Sequence, residues 1–432
     1  MTKPANRTFQ QVERLTVQLN IPGRSAPIGT LAWSRNERRA YFEYGQEFLD
    51  APLPLSPINL AASHGLKPAP YRPFEGLHGL FNDSLPDGWG RLLLDRRLQK
   101  QNRDYRALSP LDRLAYVGAT GVGALRYIPE KTFGNSEIVT VDLDWLASQA
   151  EQFQREVGTA DVDQLQQMQG GSAGARPKIM VGIDLLNELI VSDFGTGLPK
   201  AYEPWMVKFK SKNDLEEVGL EEYAYSLMAG AAGIEMPPTR LLKGSYFAVR
   251  RFDRLPEGAV HVHTASGLLD ADHRTPQLDY DNLLRLTRVL TRDERYVREM
   301  FRRTVFNVLA HNRDDHSKNH AFRMKPDGSW HPTPAYDLTL SDGPAGEHSL
   351  AIAGEGRNPG RDHIMEVAKD ASIPKAEADA IFEEVQSAIS KWPEYASAAA
   401  LSERRTSEID YLLNKRGRAP TGDVAVVSTP TP

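Results

Sequence analysis

His311-Asn312-Arg313-Asp314-Asp315-His316-Ser317-Lys318-Asn319-His320 follows an apolar helical face formed by Met300, Phe301, Val305, Val308 and Leu309. Ala335-Tyr336-Asp337-Leu338 comes in the next ordered segment. Asp314 and Asn319 stand five positions apart, and Asp337 adds a carboxylate downstream. Phosphoryl transfer needs a carboxylate for the hydroxyl proton, hard oxygen ligands for Mg²⁺, and a lysine on the phosphate oxygens. The two segments supply the first two of these.

The lysine lies upstream. In Trp205 to Lys210 the apolar Trp205, Val207 and Phe209 face one way and Met206, Lys208 and Lys210 the other, the period of a strand. Leu220, Tyr223, Ala224, Leu227, Met228 and Ala231 then recur at helical spacing up to Gly233, and Glu222 lies on that helix. Before them runs a small-residue loop, Gly170 to Lys178, which is neither a Walker A sequence nor a full G-x-G-x-x-G. Loop, strand lysine, helix glutamate, Asp–Asn loop and metal aspartate is the order of a protein kinase. Each part alone is weak, because a strand lysine or a helix glutamate is usually solvated; the ordered set is specific.

Working outward, Leu15, Val17 and Leu19 alternate with Thr16 and Gln18, and Tyr41 to Tyr44 is a second β-type run. A turn-rich stretch at Asn82 to Gly90 leads into a helical Arg91 to Gln99, and the glycine-dense Gly118 to Gly123 leads into a strand at Ala124 to Tyr127. Helices are expected over Asp142 to Gln169 with a polar connection, Leu283 to Leu290 and Pro374 to Trp392, and strands at Ile179 to Gly182, Leu189 to Val191 and Tyr246 to Val249. The expected fold is α+β: a two-lobed protein-kinase-like fold with an additional β-rich N-terminal module and a mainly helical C-terminal lobe. The expected divisions are an N-terminal module at 1–125, a lobe with phosphate loop and anchoring lysine at 126–255, a helical catalytic lobe at 256–415 and a flexible tail at 416–432.

These segments resemble the HipA family of toxin–antitoxin kinases. Gly171 to Lys178 is similar to the family's phosphate loop, Ser-x-x-Gly-Ala-Gln-x-Lys. Glu222 to Ile234 (EYAYSLMAGAAGI) is similar to the helix after the anchoring lysine, and Val249-Arg250-Arg251-Phe252-Asp253-Arg254 to the "ERFDR" hinge. Leu85 to Gly90 (LPDGWG) and Arg113 to Leu125 (RLAYVGATGVGAL) extend the resemblance to about residues 25–415. It implies Asp314 as catalytic base, Asn319 and Asp337 as Mg²⁺ ligands, and Lys208, paired with Glu222, on the ATP phosphates. It also implies Ser172, Ala173, Gly174 and Ala175 around the phosphates and backbone at Arg250 and Phe252 against adenine. Within the loop itself, His316 reads as shaping the loop and Lys318 as meeting the transferring phosphate or bracing the loop. The implied partners are a small helix-turn-helix, HipB-like antitoxin, operator DNA through that complex, and a protein substrate; in known relatives the substrates are aminoacyl-tRNA synthetases. Two positions depart from the pattern. The regulatory loop serine falls at Gly171, one residue before Ser172, and the hinge glutamate is Arg250.

Composition sets the outer bounds. The 432 residues suit two or three domains, the net charge of −5 does not suit a dedicated nucleic-acid binder, and the absence of cysteine excludes disulfides and thiolate sites. Met1 to Leu15 lacks the apolar core of a signal peptide and no run approaches a membrane span, so the expected location is the cytoplasm. His311, His316 and His320 with Asp314 and Asp315 raise a transition-metal nuclease as an alternative, although His311 and His316 lack i, i+4 spacing and no H-E-x-x-H is present. A non-catalytic co-repressor and a small-molecule kinase are the other readings. His261-Val262-His263 alternates as in a strand and reads as structural.

Overall fold

The computed structural model describes residues 11–101, 103–131, 138–155, 161–168, 174, 176–193, 197–275 and 277–417. The expected positions Ser172, Ala173 and Ala175, and the tail beyond Gly417, lie outside these residues. The fold is α+β, with a β-rich N-terminal region, a second antiparallel sheet and a helical C-terminal region.

In β1 (Arg14–Ile21) the alternating Leu15, Val17 and Leu19 are wholly buried, as period-2 patterning requires. It pairs with β2 (Arg24–Ser34), which pairs with β3 (Arg39–Tyr44); α1 (Gln46–Asp50) and the two-residue β4 (Lys67–Pro68) follow. Next come α2 (Gly79–Asn82), α3 (Gly88–Lys100) and α4 (Pro110–Val117). A reciprocal cap fixes the start of α4: the Asp112 N–H donates to Ser109 Oγ at 3.1 Å, and the Ser109 N–H to the Asp112 carboxylate at 3.0 Å. The strand β5 (Leu125–Ile128) returns to pair with β1, so the first sheet, β4-β3-β2-β1-β5, runs to Ile128.

After α5 (Leu143–Arg155) and α6 (Val162–Met168) come β6 (Lys178–Asp184), β7 (Leu189–Ser192), β8 (Tyr202–Lys208), α7 (Val218–Ala231), β9 (Thr239–Leu242) and β10 (Tyr246–Arg250). The strands form the second sheet in the order β7-β6-β8-β10-β9. Helix α7 lies against the β9–β10 hairpin so closely that a Cβ on Gly219 would stand 2.2 Å from the Ser245 carbonyl oxygen. Helix propensity favours alanine there by about 1 kcal/mol. A forced backbone clash costs about 1–3 kcal/mol, so sterics win. Gly219→Ala is expected to lower the denaturant midpoint; an unchanged or raised midpoint would refute the close approach.

The chain continues through a short ribbon, β11 (Arg254–Leu255) and β12 (Gly258–Ala259), to β13 (His261–Thr264) and α8 (Ala265–Leu269). Helices α9 (Tyr280–Thr291) and α10 (Glu294–Leu309) form the core of the helical region. Strands β14 (Ala321–Met324) and β15 (Trp330–Pro332) complete a sheet in the order β13-β14-β15, and loop 311–320 bridges α10 and β14. The last helices are α11 (Arg361–Asp370), α12 (Lys375–Ile389), α13 (Trp392–Ala398) and α14 (Glu403–Gly417). The single helix expected over Pro374 to Trp392 is corrected to α12, ending at Ile389. The ring of Pro393 would meet the Ile389 carbonyl four residues back, so a new helix starts at Trp392.

Two apolar cores result. One joins the first sheet, α7 and the C-terminal helices. The other packs Trp89 and Leu93 of α3 with α5, α6 and one face of the second sheet; Trp89 meets Phe153 edge-on at 5.2 Å. Helix α3 is therefore N-terminal in sequence but packs with the second sheet. A polar tie lies farther along. Partly buried Asp83 accepts from the Thr264 N–H at 2.7 Å, Thr264 Oγ1 at 2.8 Å and His263 Nδ1 at 2.6 Å. His261 and His263 are both buried on β13.

Candidate active site

Lys208 is the last residue of β8, and its strand partner across the ladder is Lys178, the first residue of β6. Both ammonium groups are buried on the same side of the sheet. Like charges directly opposite repel, so the arrangement needs acids. Glu222, buried on α7, and Asp337 each take the Lys208 ammonium in an ion pair. Burial alone would push Lys208 down, but Asp337 and Glu222 outweigh it and hold the lysine above its ordinary value. Burial pushes Lys178 below its ordinary value against the pull of Asp337. Burial would raise Asp337, and Lys208 with Lys178 overrides it, keeping the carboxylate ionised well below the usual range.

Asp337 sits at φ 54°, a left-handed conformation that costs a non-glycine residue about 1 kcal/mol or more. Its neighbour Tyr336 donates its hydroxyl to the Lys318 carbonyl at 2.7 Å, tying the Asp337 segment to loop 314–319. Asn319 donates its amide nitrogen to the Asp314 carbonyl at 2.7 Å, which leaves the Asn319 amide oxygen as an acceptor. Lys318, also buried, turns its ammonium to Asp87 at 2.9 Å.

Burial separates the adjacent acids. The Asp314 side chain is 55% exposed and the Asp315 side chain 0%. Asp315 accepts from Tyr280 Oη at 2.7 Å, the Ser349 N–H at 2.8 Å and His348 Nδ1 at 2.8 Å. The imidazole must be the donor, because a carboxylate only accepts. Asn307 donates to the same Tyr280 oxygen at 2.9 Å and is held in turn by Asn312 at 2.9 Å, so the network fixes the base of the loop. Asp315→Ala strands those donors in a dry interior. The expected cost is about 3 kcal/mol or more from several unmet hydrogen bonds, read as a fall in the denaturant midpoint with activity lost alongside. A variant as stable as wild type would contradict this role.

Gly174 is described with φ +104°, and a Cβ there would lie 2.5 Å from Lys178 Nζ. Its backbone bonds to the start of α3. Phe252 stacks on Tyr336 with centroids 6.0 Å apart. Arg250 is exposed, and its N–H already donates to the Pro238 carbonyl at 2.9 Å. The neighbouring charges are structural. Buried Arg251 grips Asp253 through two hydrogen bonds of 3.0 and 2.8 Å, and Asp253 accepts the Gly123 N–H at 3.0 Å, joining the hinge to the glycine-dense N-terminal segment. His316 Nε2 lies 3.8 Å from Asp314, and its ring is edge-on to His273. His311 bonds Asp342 at 3.0 Å, and His320 is buried against Tyr280. The three histidines diverge, and among the described residues no group of three or more His, Asp or Glu side chains is arranged to hold a metal ion.

Residues 170–392, just over half of the chain, match the family model of the HipA-like C-terminal domain, and residues 19–128 match that of the HipA N-terminal domain. The chain belongs to the HipA family. The HipA of the Shewanella oneidensis HipA–HipB–operator DNA complex superposes on it with a TM-score of 0.66, at 16% identity, over 93% of this chain and 96% of that one. A Sinorhizobium fredii protein named "Putative kinase Y4dM" is 30% identical over 151 residues, which is 31% of this chain and 36% of that protein. The match thus spans about a third of that curated relative.

Within this HipA-family chain, the structure gathers Lys208, Glu222 and Asp337 at one point and joins them to the loop of Asp314, Lys318 and Asn319. Arg250 stays at the exposed end of β10, paired with Trp205 across the sheet. Three neighbours were not singled out as site residues from sequence: Lys178, Asp87 and His273. The strand alternation after the small-residue loop could have pointed to Lys178, since Ile179 and Val181 face the apolar core of the second sheet and leave Lys178 on the other face. His273 is half-buried, 3.7 Å from Asp87; burial and the nearby Lys318 hold it neutral, down at about 4. No local signal separates Asp87 or His273 from other loop residues.

Proposed function

We propose that this chain is a Mg²⁺-ATP-dependent serine/threonine protein kinase of the HipA toxin type. The observation that carries the reading is the buried Lys208 between Glu222 and Asp337, tied through Tyr336 to the loop of Asp314 and Asn319. The donor chemistry fits Mg²⁺-ATP. Asp337 and the free amide oxygen of Asn319 are hard oxygen donors, few enough that phosphate and water oxygens complete the shell. Lys208 and Lys178 present positive charge to phosphate oxygens. Bound there, Mg²⁺-ATP supplies the transferable phosphoryl group and the cation that offsets its charge. Glu222 keeps Lys208 extended toward Asp337. The exposed Asp314 carboxylate accepts the proton of an incoming serine or threonine hydroxyl.

Membership of the HipA family supports the toxin role, and the Shewanella relative, solved with HipB and operator DNA, supports a helix-turn-helix antitoxin as partner. Among the described residues no helix is long and apolar enough to cross a membrane. The test is purified protein with labelled ATP, Mg²⁺ and host lysate, beside Asp314→Ala. A labelled protein band with wild type alone supports the reading, and mass spectrometry of the band identifies the substrate and the modified side chain. No labelled protein and no ATP binding would overturn it.

A further inference from the structure

Asp87 stands at the N-cap of α3, where an aspartate ordinarily accepts its own helix's second or third N–H. It does not cap α3. One carboxylate oxygen accepts the Gly174 N–H, and the other holds the Lys318 ammonium at 2.9 Å. The helix start is used in the same direction, because the Trp89 N–H donates to the Gly174 carbonyl at 3.0 Å. Gly174 is thus gripped on both sides of its peptide by one turn of α3. That turn is fixed in place, with the Trp89 ring 2% exposed and packed on Phe153 in the second core. At its other end the grip reaches the candidate site twice. Lys318 is next in sequence to Asn319, and Gly174 lies beside the Lys178 ammonium.

We propose that Asp87, contributed by the N-terminal region, is a positioning residue for phosphoryl transfer. It orders the Lys318 ammonium and the Gly174 backbone together, which makes the N-terminal region part of the catalytic apparatus. The inference rests on the kinase reading. A lysine has several flexible bonds, and left alone its ammonium samples many positions. A partly buried carboxylate at 2.9 Å selects one of them and leaves the remaining N–H groups of the ammonium for phosphate. Misplacement by about 1 Å in such a site costs on the order of a hundredfold in rate. Lys318 is therefore the group through which Asp87 acts, and Asp87 itself need not touch substrate.

Asp87→Asn keeps the size and an acceptor for Gly174 but removes the charge facing Lys318; Asp87→Ala removes both. The measurements are kcat and KM for ATP, Mg²⁺-ATP affinity, the melting temperature, and amide exchange at Gly174, for each variant alone and combined with Lys318→Met. Asp87→Asn is expected to lower kcat by about ten- to a hundredfold, with KM for ATP moved far less; leaving buried Lys318 without its carboxylate also lowers the melting temperature, but the protein stays folded at the assay temperature, so the fall in kcat exceeds any loss of folded fraction. It should add no further loss on top of Lys318→Met, and Asp87→Ala should in addition speed exchange at Gly174. Independent, multiplying losses in the double variant would overturn the proposal, as would a kcat that falls only with the folded fraction. If wild type transfers no phosphate and binds no ATP, the kinase reading fails and the positioning role for transfer falls with it. Exchange at Gly174 still tells whether the grip exists: equal exchange in wild type and Asp87→Ala means there is none.

Discussion

Asp314→Ala lowers phosphoryl transfer by about a thousandfold while leaving the fold and Mg²⁺-ATP binding intact. A positioned general base contributes about 10²- to 10⁴-fold, and the predicted loss sits within that range. The fold is spared because the carboxylate is 55% exposed and its nearest ionic neighbour, His316, is at 3.8 Å, too far for a strong bond. What Asp314 contributes to the loop's shape is its backbone carbonyl, which accepts from Asn319 and survives the change to alanine. Exposed substitutions of this kind stay within about 0.5 kcal/mol of wild type. Single-turnover transfer and thermal melting, run side by side, check both halves. Near-normal transfer would remove Asp314 from the base role, and a large drop in melting temperature would show that the carboxylate supports the loop after all. The neighbouring Asp315→Ala gives the reverse pattern, with stability lost first. Two adjacent aspartates thus provide an internal control.

That contrast also shows where the sequence stops being informative. The Asp314–Asn319 spacing is a property of one short loop, so it can be read locally. Strand alternation around Lys208 and helical spacing around Glu222 are local too, and from them the α+β class and the order of the elements follow. Asp314 and Asp315 are chemically identical, and only the packing of Tyr280, Ser349 and His348, more than thirty residues away on either side, decides which is buried. Asp87 and Lys318 are 231 residues apart, and no periodicity connects them. The hinge motif shows the same limit. Its backbone at Arg250 and Phe252 is what the resemblance sets against adenine, and nothing in the motif says what its charges do: Arg251, Asp253 and Arg254 form an ionic cluster hydrogen-bonded to the backbone of Gly121 and Gly123 in the N-terminal region. A motif reports which residues recur together. It does not say whether they face a ligand or another part of the chain.

Lys208→Met has the second large effect, and it falls on stability as well as on nucleotide binding. The ammonium is the shared partner of Glu222, which is buried, and of Asp337. Removing it leaves carboxylates without their cation, and breaking a buried pair from one side costs about 3–5 kcal/mol. Arg176, whose Nη1 lies 3.5 Å from Glu222, relieves part of this, so the lower end of that range is expected. Adding Glu222→Gln removes the buried one of the two stranded charges, while Asp337 is a third exposed and keeps Lys178 nearby, so the double variant should regain most of the stability and none of the ATP binding. Equilibrium denaturation and nucleotide titration separate the two effects. Failure of Glu222→Gln to restore stability would mean that the lysine acts by packing, not by charge. The pH dependence gives an independent check with a definite sign. In the folded protein Asp337 is held below the ordinary carboxylate range, chiefly by Lys208 against its own burial, so its stabilising contribution is complete above about pH 4. It fades as pH falls toward the lowered folded value. In Lys208→Met that depression shrinks, because its largest source is gone and only Lys178 and, more weakly, His316 remain to sustain it. The acid side of the stability curve should then flatten relative to wild type while the whole curve drops. A parallel drop with no change of slope would place the Lys208–Asp337 contact outside the energetics of the folded state.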